Sequence, residues 1–202
     1  MQMTQQEFID LVEEVYKFHT KRAPGIVIGV EMVDLARRKL GVVEKLGAVT
    51  ETQVCLSDVI QYMTGCTIGN KYLIMRDRIG RYALTLYDRQ DGRGVRVFVN
   101  QKKLDSRKMP ELCKFFLRKR APEVASDMEA RKESAEKIVA EFLAADRNIF
   151  GWQFVRVKDY KKLPVHPVKL CPDCHESFIC PDEDEKTCQV CSGDLDYYQL
   201  EQ

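Results

Sequence analysis

The sequence predicts an α+β protein: helices first, an antiparallel sheet in the middle, long helices after it, and a small C-terminal appendage. Three observations carry that expectation. Phe8, Leu11, Val12, Val15 and Tyr16 recur at helical spacing, and much later Val124, Met128, Ala135, Ile138, Val139 and Phe142 do the same. Between them lie three β-rich runs at 71–76, 81–87 and 94–99, the last two joined by an Asp91-Gly92 turn signal. The final 38 residues, from 165 onward, hold few large apolar side chains but two Cys-x-x-Cys pairs. A core domain over 1–162 and a zinc finger over 163–202 are the expected units.

Each element has a local reason. Thr4 followed by Glu7 forms a capping box, so the first helix starts there and runs to about residue 18. His19 falls four residues after Val15, on the same face. Pro24 and Gly25 punctuate, and a second helix follows to Leu40, with Gly41 as its terminator. Gly25 and Gly29 each cost ~1 kcal/mol of helix propensity against alanine, so close packing against them is expected. Residues 42–52 read as strand. A short third helix is opened by Cys55 or Ser57 and ended by Gly65. Past the hairpin, a basic amphipathic helix is expected over 108–120. Pro122 restarts helix at Glu123, which continues to about Asp146, and Gly151 breaks it. A short strand follows around Phe154–Val157. Residues 163–168 read as an extended linker, because each proline pushes its predecessor out of the helical region.

Composition excludes several classes. Hydrophobic residues make up 45% and charged residues 31% of 202, a globular balance rather than a disordered or collagenous one. The longest apolar stretch, 25–30, is far short of the ~20 residues that cross a bilayer. The first residues have neither a basic region nor an apolar core, so no secretory signal is expected and a cytoplasmic location is. Net charge is +1, but residues 171–202 hold nine acids and one base, which leaves them at −8 and the rest at +9. The basic excess is densest at 101–120. Solvated faces account for such a run most simply; docking of the acidic tail and nucleic-acid binding are the sharper readings.

The strongest motif is Cys171-Pro-Asp-Cys174 with Cys188-Gln-Val-Cys191, 13 residues apart. Two intervening residues let both thiolates of a pair reach one ion, and two such knuckles complete the tetrahedral S₄ set of structural zinc. The need is physical: below ~40 residues a domain rarely folds without a metal, disulfides or a partner. Cys180 is the spare thiol. Knuckle, hairpin, second knuckle and the segment 194–200 suggest a treble clef. Zn²⁺ in this module is structural, since four thiolates leave no open position. Its charge of −8 opposes phosphate, so nucleic acid is disfavoured as a ligand of the finger and a protein contact is the expectation.

The second motif is Asp58-Val-Ile-Gln-Tyr-Met-Thr-Gly-Cys66-Thr-Ile-Gly-Asn70. Cys66 falls just past a helix C-terminus, between Gly65 and Gly69. A lone cysteine there is usually inert packing. Cys55 stands at the N-terminal end of the same helix, where the dipole favours a thiolate, so the residues alone slightly prefer Cys55 as the reactive one.

That run, with Tyr82-Ala-Leu-Thr-Leu-Tyr-Asp-Arg and Gly-Val-Arg96-Val, resembles the FmdE family, which takes its name from a component of formylmethanofuran dehydrogenase. The resemblance covers nearly the whole chain. It implies an α+β core that forms a homodimer, a C-terminal treble-clef finger, and partners in a complex of C1 metabolism. It also implies a core site, which falls here on His19 and Cys66, supported by Cys55 and Asp58. The family pattern His-Gly-His-x-Cys-Pro-Gly stands here as His19-Thr-Lys21-Arg-Ala23-Pro24-Gly25. Lys21 and Ala23 replace two soft-metal ligands, so a second metal in the core would have a thin ligand set. The implied role is accessory and metal-binding. The rivals are a thiol- or metal-dependent enzyme using Cys66 and His19, and a nucleic-acid adaptor using 101–120. No membrane association is expected.

Overall fold

The computed structural model describes residues 3–158, 166–182, 184–195, 197 and 198. The chain divides into two units, Met1–Lys161 and Lys162–Gln202. In the first, α1 (Gln5–His19) opens on the expected capping box: Thr4 Oγ1 accepts from Glu7 N at 3.2 Å and Glu7 accepts from Thr4 N at 2.7 Å. Next come α2 (Pro24–Leu40), β1 (Leu46–Thr50), α3 (Leu56–Thr64), β2 (Leu73–Met75), β3 (Ala83–Asp88) and β4 (Arg93–Val99). The unit ends with α4 (Pro110–Phe116), α5 (Glu123–Ser126), α6 (Met128–Ala144) and β5 (Phe150–Arg156).

The five strands form one sheet in the order β2-β1-β3-β4-β5. It is antiparallel except for β1 and β2, which run parallel with Val49 opposite Ile74. The cause is α3, which lies between them in sequence and carries the chain back to the start of the sheet, as a parallel pair requires. Residues of β3 alternate between faces. Leu84 and Leu86 join Val95 and Val97 in the core beneath the helices, while Thr85 and Tyr87 lie on the opposite face.

α2 is the central helix. Pro24 to Val33 is buried without interruption, and the helix packs on α1, α3, α6, β3 and β4. Gly29 explains the fit against α3: a Cβ there would come within 2.8 Å of Val59 Cγ2. The neighbour is a side chain rather than a second backbone. One charge is carried into this layer. Glu31 lies 3.0 Å from Arg147 Nη1 and 3.2 Å from Arg38 Nη2. Burial pushes its carboxyl up, against the pull of Arg147.

Several boundaries differ from the sequence expectation, each for a local reason. The basic helix is short, because Arg118 adopts a left-handed φ of 54° soon after Phe116. The N-terminus of α4 is held by Glu141 of α6, which accepts from Leu112 N at 2.8 Å. The long helix at 123–146 is interrupted at Asp127, which is extended and caps α6 by accepting from Glu129 N at 2.8 Å. Gly151 is not a breaker but a member of β5, where it pairs with Phe98.

In the second unit, β6 (Val168–Leu170) and β7 (Ser177–Ile179) form an antiparallel hairpin. The linker expected at 163–168 and the segment 194–200 fall partly outside the described residues.

Candidate functional site

The first knuckle, Cys171–Cys174, sits in the turn between β6 and β7, and the second follows in a turn-rich stretch. Together they bring the four sulfurs of Cys171, Cys174, Cys188 and Cys191 within 4.8 Å of one another. All four are free thiols rather than disulfides. Backbone amides point at the sulfurs, with Cys188 N 3.4 Å from Cys171 Sγ. The amides of Cys174 and then Cys188 pull the Cys171 thiol down to about 6. Cys191 is pushed up, first by the Cys188 sulfur beside it. Four sulfurs this close crowd negative charge when ionised, the condition a divalent cation relieves. The residues fit a soft divalent ion, and among the described residues this is the one His/Cys/acid cluster close enough to hold a metal. Cys180 is buried outside it, with Sγ 2.7 Å from Asp182 O.

The core candidates divide into two places. His19, at the end of α1, meets Asp58 in the first turn of α3: Nδ1 and Oδ2 are 2.7 Å apart. With Nδ1–H donating to the carboxylate, Nε2 is left as an acceptor, the arrangement of an oriented base. Cys55 caps the same end of α3 but gives its side chain to no capping bond. It lies against Gly25 and Tyr82, and Tyr82 Oη donates to Gly25 O at 2.7 Å. Burial pushes the Cys55 thiol up, outweighing the favourable helix end. Burial also pushes nearby Tyr16 up to about 12, although Arg22, stacked 4.8 Å above its ring, pulls the other way.

Cys66 lies beyond the other end of α3. Asp58 and Thr64 are six residues apart, about 9 Å along the axis at ~1.5 Å per residue. Cys66 is 2% exposed, with its thiol 3.5 Å from Leu46 O in β1. Burial raises it too. The surrounding motif bonds to itself. Gly65 takes a φ of 70° to end the helix, Thr64 Oγ1 accepts from Cys66 N, and Asn70 donates to Gly65 O at 2.7 Å while accepting from Thr67 and Tyr72 amides. Those bonds give Thr-Gly-Cys-Thr-x-Gly-Asn a structural task, a braced turn between α3 and β2. His19 and Asp58 are brought together and Cys55 stands at the same end of α3, against Gly25; Cys66 is not part of this group. Lys21 is exposed and Ala23 half-buried.

Sequence reasoning missed one further group. Glu51, just after β1, is 6% exposed and chelates Arg96: Oε1 to Nε at 2.6 Å and Oε2 to Nη2 at 2.9 Å. Arg81 adds a third bond at 2.7 Å. Burial would raise the Glu51 carboxyl, but Arg96 and Arg81 override it and hold it below the usual range. The signal was faint, since the three residues are scattered over 45 positions and meet only when β1, β3 and β4 pair.

A mixed five-stranded sheet under a buried central helix, joined to a four-cysteine unit, defines a two-unit α+β protein with one sulfur-rich metal-binding site. The comparisons name its relatives. The family described as "FmdE, Molybdenum formylmethanofuran dehydrogenase operon" matches residues 18–150, and the chain belongs to that family. A solved structure from Syntrophus aciditrophicus, described as a tungsten formylmethanofuran dehydrogenase FmdE-like protein, is 32% identical. The match covers 95% of each chain with a TM-score of 0.72. A curated relative from Archaeoglobus fulgidus, described as "Probable S-adenosyl-L-methionine-binding protein", is 31% identical over 97% of this chain. The match spans 56% of that relative's length.

Proposed function

We propose that this chain is a zinc-bearing accessory protein of the FmdE family, acting through protein partners rather than as the catalyst of a redox step. The observation that carries the reading is the closed sulfur quartet, whose four thiols leave no position for substrate. Zinc would hold the two knuckles in a treble-clef arrangement and present the acidic surface of the finger to a partner. The core would serve as the dimerising body, in a cytoplasmic complex of C1 metabolism. The family membership supports that setting. The name of the Archaeoglobus relative raises S-adenosylmethionine as a ligand. That reading is weaker, because a little over half of that protein corresponds to this chain. The enzyme reading that pairs Cys66 with His19 loses its main support, since α3 holds them at opposite ends. What remains for chemistry in the core is His19 oriented by Asp58.

Metal analysis of the purified chain tests the proposal. One zinc per chain, lost in Cys174→Ser and retained in Cys180→Ser, is the expected result. A chain without zinc, or a Cys174→Ser variant that retains it, would sink the reading. Two zincs per chain would restore the second, core metal as a candidate.

A further inference from the structure

The face of the sheet opposite the buried leucines carries a cleft of about 230 Å³. One cross-strand row forms its floor. Ile74, Val49, Thr85 and Arg96 are successive register partners on β2, β1, β3 and β4. Val155 brings in β5, so every strand contributes to the lining. Arg76, Arg96, Arg156 and Lys158 border the cleft, and among the described residues no carboxylate lines it. The remaining lining, Thr85 apart, is aliphatic. A cationic border over an aliphatic floor matches a ligand with an acidic head and a short apolar body.

Two details make this more than a basic patch. Arg96 is held in place by Glu51, so its guanidinium is oriented before any ligand arrives. Such pre-organisation lowers the ordering cost of binding. Thr85 is the second. It is 7% exposed, yet its hydroxyl has no hydrogen-bond partner among the described residues. That hydroxyl keeps contact with solvent in the cleft, where the acceptor of an entering ligand can take the place of water. Lys158 likewise has no ion-pair partner among the described residues. The volume is below the ~300–1,000 Å³ of drug-sized sites, which points to a compact acid rather than a dinucleotide or a polymer.

We propose that this cleft binds a small organic anion, a carboxylate or phosphate ester on a short aliphatic body, with Thr85 Oγ1 donating to it and Lys158 and the arginines neutralising it. The inference rests on the sheet and is independent of the zinc reading. It is tested on the full chain by calorimetric titration at low salt, with succinate as the carboxylate probe and glycerol 3-phosphate as the phosphate probe. The expected result is saturable 1:1 binding of one probe, the tighter of the two identifying the head group. Thr85→Val should weaken it about tenfold, the worth of one hydrogen bond to a charged acceptor. Lys158→Gln should weaken it and flatten its salt dependence, whereas Lys114→Gln on the distant basic stretch should not change it. Lys158 is exposed, so that variant keeps the test decisive if Thr85→Val folds poorly. Neither probe saturating at millimolar concentration, or equal binding by wild type, Thr85→Val and Lys158→Gln, would overturn the proposal.

Discussion

The two units of this protein are held together by different means. The core buries a continuous aliphatic cluster, with Ile28, Val30, Leu84, Leu86, Ile138 and Phe142 all inaccessible to solvent. The finger does the reverse. Val168, Leu170 and Ile179 of its hairpin are 62%, 73% and 65% exposed, and Cys171 and Cys180 are its buried apolar residues among those described. Packing density stabilises one; a sulfur cluster and a short ladder organise the other. The lesson is that resistance to perturbation should divide at the same boundary, with chelators acting on one side and core truncations on the other.

The largest expected effect is on the finger. Chelation, or Cys174→Ser, should make residues 166–198 protease-sensitive while the core retains its cooperative melt. The proposed metal would supply most of the folding free energy of so small a unit. A finger that resists protease after chelation would break the contrast. The next effect belongs to the core. Phe142→Ala, which empties a fully buried site packed edge-on to Phe150, should cost about 3–5 kcal/mol without changing metal uptake by the cysteine quartet. Denaturant titration with parallel metal assay measures both. The smallest effect sharpens the role of charge within the core. The folded carboxyl of Glu51 lies below its ordinary 4.5, so its contribution is complete above that pH and is lost as pH falls through the lower folded value. Glu51→Gln should therefore be less stable than wild type at pH 7, with the difference shrinking below about pH 4.5. A gap that stays constant from pH 7 to pH 3 would show that Glu51 acts by packing alone.

The legible parts of the fold were those written locally. Thr4 and Glu7 announced α1, Asp91-Gly92 announced the β3–β4 hairpin, and the four cysteines announced their own cluster. What was hidden depended on distant partners. Nothing near Asp127 signals a helix break as strongly as the continuing apolar stripe signals helix, and only the cap it makes with Glu129 reveals it. Gly151 looked like a terminator because β5 pairs with a strand more than 50 positions earlier. The site followed the same rule. His19 and Asp58 were both in view as candidates, but their 2.7 Å bond across 39 residues was not, and neither was the length of helix dividing Cys66 from them. Thr85 and Arg96 stood in the runs that carry the family resemblance, but their adjacency was hidden, since a cross-strand row exists only once the register is set.

Strand β5 enters the sheet after an excursion through α4, α5 and α6, and it pairs with β4 along its whole length, from Arg93–Arg156 to Val99–Phe150. A chain made on the ribosome must therefore wait through that detour with β4 as a bare margin, a ready template for a neighbouring chain. Pairing of the seven-residue β5 covers β4 and moves the open margin outward, since β5 is itself the last strand of the sheet.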